Sequence, residues 1–347
     1  MSPTLQFPVT APTAPPRMSS AWLLPEHIAD VLPAMARRIE QLRRGLLDTA
    51  EAAGFSLVIP PLVEHLESLL TGTGHALDLQ TWKLVDQASG RTLGVRADMT
   101  PQVARIDAHV LNEPGTARLC YCGPVLHTRA SGSAATREPL QFGGEIYGES
   151  SLAADLEVQD LLLACLALAG IGGERDAVLD LGDARIVRAV LAGVPLGADR
   201  LEAVYAALAD KDPAALASAS SGLPGEVREA LAVLVRLHGD GSVLAEARSA
   251  LPRRPQLAAA LDDLERVARH AAESHPGVRV AFDLADATGY AYYSGLRFAV
   301  YAEGASDAIA RGGRYDEVGA VFGRNRPAVG FGLDVKDLAM LSQGVEA

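Results

Sequence analysis

Aromatic residues are scarce in this chain. They make up 5% of 347 residues, although 49% of the sequence is hydrophobic. The core must therefore be mostly Ala, Leu and Val, which suits helices on an α/β scaffold. Cysteine is scarcer, with three residues. Cys120 and Cys122 stand two apart in an apolar run, so on a strand they share a face. They lie too close in sequence for an unstrained disulfide. No further ligands follow at zinc spacing, and the eight histidines form neither an HExxH motif nor an i, i+4 helical pair. No metal and no cofactor are expected, and buried reduced thiols point to a cytoplasmic protein. No apolar run approaches the ~20 residues of a membrane span, so no membrane partner is expected. Positive charge is also short, with 31 Lys and Arg against 43 Asp and Glu and a net charge of -12. Nucleic-acid binders need a basic face for phosphate contacts. The best candidate, ARRIEQLRRG at residues 36–45, has the spacing of a solvated helix face. No nucleic-acid partner is therefore expected.

The first 20 residues are rich in Pro, Thr and Ser and lack the basic start and apolar run of a signal peptide, which predicts a flexible tail. Residues 33–53 carry Met35, Ile39, Leu42, Leu46 and Ala50 at helical spacing, and Gly54 stops that helix. Residues 54–64, GFSLVIPPLVE, read as one apolar strand. Its two prolines put it at a sheet edge or end it there. Residues 81–100 read as a hairpin turning at residues 88–90. Residues 100–111 read as a helix, with Thr100 as cap and Pro101 at its start. A strand–loop–strand follows at residues 117–148, and residues 155–169 are helical. From about residue 181 to 275, Ala, Leu, Glu and Arg recur at helical spacing between Pro and Gly breaks. Strand patterns resume at residues 278–284 and 296–304. The expected organisation is a core of residues 21–180 and 276–347 interrupted by a helical insert at 181–275. Two separated sets of strands, mostly antiparallel and flanked by helices, make an α+β fold.

The acids at strand ends suggest chemistry. Asp98, Glu145 and Asp316 flank the ends of separate strands. A free amino acid presents an ammonium group that needs a carboxylate, and an imidazole N–H offers a second carboxylate a donor. GGRYDEVGAVFG is rich in glycine but lacks the GxGxxG order of a dinucleotide site. Taken singly, each acid reads as an ordinary surface residue. Taken together, VRADMT (95–100), GPVLHTR (123–129), QFGGE (141–145), ATGYAYYSG (287–295) and GGRYD (312–316) form an ordered set.

That ordered set resembles histidyl-tRNA synthetase, a class II aminoacyl-tRNA synthetase, from about residue 24 to 338. The resemblance implies a class II synthetase-like core with a mostly antiparallel sheet. It places Asp98 and Thr100 at the substrate α-amino group, Gln141 and Glu145 at the histidine, and Tyr292 and Tyr293 on the two tyrosines of a histidine-specific segment. It implies that the glycines of 312–316 let the backbone approach the ligand. Residues 54–64 fall on motif 1, which forms a homodimer interface in that family. Three positions depart from the pattern. His127, Thr288 and Asp337 stand where the family has the arginines of motif 2, the tyrosine segment and motif 3. Activation of an amino acid develops charge on a phosphate that fixed guanidinium groups stabilise. Arg129 lies two residues beyond His127, so whether it takes over the vacated role stays open. The chain ends nine residues after Leu338, which predicts that the family's anticodon-binding domain is absent.

A synthetase-like core with these losses resembles the regulatory subunits of ATP phosphoribosyltransferase. The resemblance implies a non-catalytic partner of the short-form catalytic subunit, acting in the first step of histidine biosynthesis, with L-histidine as effector. Whether that histidine occupies the inherited pocket or a subunit interface stays open. The alternative is an ATP-dependent ligase that activates histidine for a non-tRNA acceptor.

Overall fold

The computed structural model describes residues 23–71, 75–130, 135–173, 175–287, 289 and 292–342. The predicted tail (1–20), Trp22, Thr288 and the last five residues lie outside them. Helix α1 (Pro33–Ala52) begins at a proline, whose missing N–H costs nothing in the first turn. It buries Leu42, Leu46 and Ala50, spaced four apart. Gly54 then takes a left-handed φ of +84°, which reverses the chain out of the helix.

The stretch expected to form one strand at 54–64 is two. Strand β1 (Ser56–Leu57) adds in parallel to an outer edge of the main sheet and ends before Pro60 and Pro61. Strand β2 (Val63–His65) belongs to a second, three-stranded sheet. Proline has no N–H for a ladder, so the pair breaks pairing between the two pieces. Helices α2 (Leu66–Leu69) and α3 (His75–Gln80) follow. The expected hairpin forms from β3 (Trp82–Val85) and β4 (Thr92–Val95), which complete the small sheet in the order β2-β4-β3. Asp86 fixes its turn by accepting from the Ala88 N–H at 3.1 Å.

Helix α4 (Thr100–Arg105) continues into a π-helical turn, Ile106–Leu111. Thr100 does not cap α4. Met99 holds the cap position, and Asp98 accepts the Thr100 N–H at 3.0 Å. Strands β5 (Ala117–Pro124) and β6 (Leu140–Tyr147) form the second hairpin, and α5 (Leu152–Ala167) follows. Strand β7 (Ala177–Asp183) leads into α6 (Ala184–Leu191), α7 (Ala198–Ala209), α8 (Pro213–Ala219) and α9 (Gly225–Leu234). Then come β8 (His238–Gly239), α10 (Ser242–Ala250) and α11 (Pro255–Ser274). The last elements are β9 (Val278–Asp283), β10 (Leu296–Ala302), β11 (Ala310–Arg314), β12 (Ala328–Asp334) and α12 (Val335–Leu341).

The main sheet has nine strands in the order β1-β5-β6-β12-β11-β10-β7-β9-β8. Six of its eight pairings are antiparallel. Successive side chains on each strand face opposite ways. One face carries Phe142, Ile146, Phe331, Leu333, Leu179 and Leu181 into a core shared with α1, α5, α6 and α11. As the composition predicts, that core is mostly Ala, Leu and Val. The three cysteines are free and buried. The other face, reached by alternation, carries Gln141, Glu145, Tyr147 and Tyr121. A smaller cluster of Met99, Val103, Val125 and Tyr315 packs beside it under α4.

Candidate synthetase-like ligand pocket

Strand register builds the pocket floor from glycine. Gly143 on β6 stands opposite Tyr121 on β5, and Gly330 on β12 stands opposite Glu145 on β6. A Cβ at Gly330 would sit 1.5 Å from Glu145 Oε2, and one at Gly143 would sit 2.4 Å from the Tyr121 hydroxyl. A Cβ at Gly313 would meet the Tyr293 ring at 2.9 Å. Gly330 and Gly143 thus make room for the functional side chain of the neighbouring strand, whereas a Cβ at Gly313 would first meet the Leu296 carbonyl at 2.5 Å.

Glu145 is the centre of the arrangement and is 1% exposed. Tyr121 donates its hydroxyl to Glu145 Oε1 at 3.0 Å, and Tyr315 donates to Oε2. With its proton on Glu145, the Tyr121 oxygen accepts from Thr100 Oγ1 at 3.0 Å. The Tyr147 and Tyr315 hydroxyls lie 3.3 Å apart. Tyr292 stacks on Tyr315, with centroids 5.0 Å apart and planes 25° apart. Tyr293 meets Tyr292 edge-on at 5.2 Å.

A second acid is held beside it. Gln141 Nε2 donates to Asp98 Oδ1 at 2.7 Å while Gln141 Oε1 accepts the Met99 N–H at 2.9 Å. The Gln141 amide is therefore oriented at both ends, and it fixes the turn that carries Asp98. The structure brings all six residues predicted at the ligand into this one connected group. Asp316 does not join them. Its carboxylate is spent on Ser294 Oγ at 3.0 Å, the Ala328 N–H at 3.0 Å and Arg314 at 3.3 Å.

Burial pushes the Glu145 carboxyl up to about 8. The two tyrosine donors pull it down, and Asp98 pushes it further up. Burial also raises the hydroxyls of Tyr121, Tyr292 and Tyr315 far above the usual tyrosine value. These groups can bind and orient a small polar ligand that brings its own donors. Among the described residues no His, Cys, Asp and Glu cluster could hold a metal ion.

Two of the three positions that depart from the resemblance, His127 and Asp337, fall among the described residues. His127 turns its ring back to the Ala97 carbonyl, at 2.9 Å. Its own carbonyl accepts from Trp82 Nε1 at 2.9 Å and Arg137 Nε at 3.1 Å. Arg129 is exposed, beyond the end of the β5 ladder. Asp337 is half-buried in the first turn of α12, and burial raises its carboxyl. Thr288 lies outside the described residues.

Sequence reasoning missed Tyr121, Tyr147 and Tyr315 as members of the pocket. Tyr147 follows Glu145 by two residues, so strand parity alone puts it on the same face. Tyr315 sits inside the GGRYD segment already singled out. Tyr121 needs the register of β5 on β6, which the sequence does not display.

Residues 27–338 match the histidyl-tRNA synthetase family. A protein from Verminephrobacter eiseniae, named ATP phosphoribosyltransferase regulatory subunit, is 63% identical over 319 residues, covering 92% of this chain and 82% of that protein. Its counterpart from Burkholderia cenocepacia is 56% identical over 323 residues, covering 93% and 83%. A solved ATP phosphoribosyltransferase regulatory subunit/histidyl-tRNA synthetase from Bacillus halodurans superposes with a TM-score of 0.82 at 26% identity, covering 94% of this chain and 85% of that one. The chain belongs to the histidyl-tRNA synthetase-like family of ATP phosphoribosyltransferase regulatory subunits, which serve histidine biosynthesis.

Proposed function

We propose that the pocket around Glu145 and Asp98 holds free L-histidine as the feedback effector of a non-catalytic subunit. One observation carries this reading: two carboxylates from separate elements join one hydrogen-bonded group lined by glycines, Glu145 buried within β6 rather than at its end, and Asp98 held by Gln141 in the turn before α4. Asp98 pairs with the α-ammonium, with Gln141 and Thr100 beside it. Glu145 takes the imidazole ring, walled by Tyr292 and Tyr293. Histidine then regulates by binding one state of the assembly more tightly than the other. The partner is the short-form catalytic subunit. A solved ATP phosphoribosyl transferase complex from Thermotoga maritima has a chain of this fold and supports that assignment. The motif 1-like segment, with Leu57 48% and Ile59 79% exposed beside the edge strand β1, forms a homodimer interface. The acidic balance agrees with a cytoplasmic protein that takes no nucleic acid.

Amino-acid activation is the competing chemistry. The inward turn of His127, the exposure of Arg129 and the negative charge of Asp337 weigh against it, because a polyphosphate needs fixed cations. Isothermal titration with histidine tests the site: equal affinity for the wild type and Glu145→Ala sinks it. Histidine-dependent ATP–pyrophosphate exchange by the purified chain would restore the enzyme reading. Mixing with a short-form catalytic chain tests the partner, with gain of histidine-sensitive phosphoribosyl transfer as the expected result.

A further inference from the structure

Among the described residues, the pocket has two carboxylates and no cation of its own. Both Glu145 oxygens are met by neutral tyrosine hydroxyls, and Asp98 is met by an amide and a backbone N–H. The charged and titratable groups facing Glu145 can be followed element by element. Strand β5 offers Tyr121, β6 offers Tyr147, and the segment after β11 offers Tyr315. The turn before α4 offers Asp98, and the segment before β10 offers Tyr292. Strand β12 offers only Gly330. The nearby arginines are engaged elsewhere. Arg314 pairs with Asp155 at 2.5 Å, and Arg297 pairs with Asp286 at 2.6 Å while lying over the outer ring, Tyr293.

A buried carboxylate with no cation is unstable as the charged form. Glu145 meets this by keeping its proton, in line with the upward displacement of its carboxyl by burial. A ligand that brought only a neutral N–H donor would leave that charge unpaired if Glu145 ionised.

We infer that the pocket takes its amino-acid ligand with the side-chain ring as a cation, an imidazolium paired with ionised Glu145, while Asp98 pairs with the α-ammonium. This rests on the histidine reading above and assigns the ionic form of the ligand. Near neutral pH the step is a proton transfer without redox change. The proton leaves a Glu145 oxygen and forms an N–H bond on the ring nitrogen that faces it. The count of protons in the complex is unchanged. At higher pH, where Glu145 is already ionised, binding takes one proton from buffer. The ring of bound histidine therefore stays protonated at a pH where the free amino acid has lost that proton.

The test uses histidine labelled with nitrogen-15 in the ring, the intact subunit and pH 8. The free ring, with a pKa of about 6.5, is only about 3% protonated there. The expected spectrum of the bound ligand has both ring nitrogens at imidazolium positions. In Glu145→Gln, bound histidine should show one protonated and one bare nitrogen. Titration calorimetry on the same samples separates the outcomes. Wild-type binding with a neutral ring at pH 8 overturns the ion pair but leaves the histidine site standing. No wild-type binding at all overturns both.

Discussion

Gly330→Ala is the most severe small change the pocket floor allows, and its consequence can be worked out from the geometry. The added Cβ would sit 1.5 Å from Glu145 Oε2 and 2.4 Å from its Cδ, where ordinary contacts need well over 3 Å. Gly330 does not have a left-handed φ, so the backbone tolerates alanine and the cost is steric. Neither neighbour yields cheaply. The Gly144 carbonyl lies 2.8 Å from the new carbon and belongs to a central ladder. Glu145 must therefore swing away and release Tyr121 and Tyr315. Overpacking costs about 1–3 kcal/mol, and each stranded buried partner adds roughly 1–3 kcal/mol. With one overpacking cost and two stranded hydroxyls, a total of about 3–9 kcal/mol is expected in urea unfolding of the purified subunit, together with loss of histidine binding by calorimetry. The decisive comparison is a double-mutant cycle. In a Glu145→Ala background the main clash is gone, so Gly330→Ala should cost only about 1 kcal/mol there. Costs that add within about 0.5 kcal/mol across the cycle would refute the claim that this glycine exists to seat Glu145.

Stability should fall as pH rises from about 5 to 8. The folded carboxyl of Glu145 lies near 8, above its ordinary value of 4.5, so the folded state holds the extra proton and loses that advantage with rising pH. Urea midpoints across pH should show this slope, and Glu145→Gln should flatten it. Asp334, raised to about 7 by burial, keeps a smaller slope of the same sign. His127→Ala should cost about 1 kcal/mol of stability and weaken histidine binding in calorimetry, because it frees the carbonyl of the residue before Asp98. His127→Arg should gain no pyrophosphate exchange. Arg326→Met should be the most damaging of these, at about 3–5 kcal/mol in unfolding experiments, because it strands buried Asp107 and the carbonyls of Gly115 and Tyr147.

Local signals made much of this fold legible. Helix α1, the β3–β4 hairpin and the helices between β7 and β9 follow from periodicity and from the positions of Pro and Gly, but strand β7 (Ala177–Asp183) does not, and its last three residues lie in the stretch expected to be helical from 181. The split at Pro60–Pro61 was half legible. Two prolines announce a break, but that Val63–His65 joins another sheet depends on a partner about 30 residues away, Leu93–Val95. The pocket divides along the same line. The motifs locate Asp98, Thr100, Gln141, Glu145, Tyr292 and Tyr293. The hydroxyls that hold Glu145 come from Tyr121 and Tyr315, which lie 24 and 170 residues from it in sequence. Spacing along one strand cannot reveal a bond made across three.

Position 127 has a structural role that bears on the proposed binding site. Past Pro124 the chain leaves the β5 ladder, and His127 pairs there with Thr81 in an isolated bridge. Its N–H donates to the Arg137 carbonyl at 2.8 Å, its carbonyl gathers Trp82 and Arg137, and its ring holds Ala97. Arg137 in turn lies 4.9 Å over the Trp82 ring. The residue is thus a clamp between the hairpin and the turn that presents Asp98. A side chain reaching for a phosphate has to point into the open groove and cannot also hold that turn. On the proposed reading, the change at 127 exchanges a charge needed only for chemistry for rigidity in the acid that anchors the ammonium. A preorganised carboxylate loses less freedom on binding, so on that reading His127 should tighten the grip on free histidine, which the His127→Ala calorimetry checks.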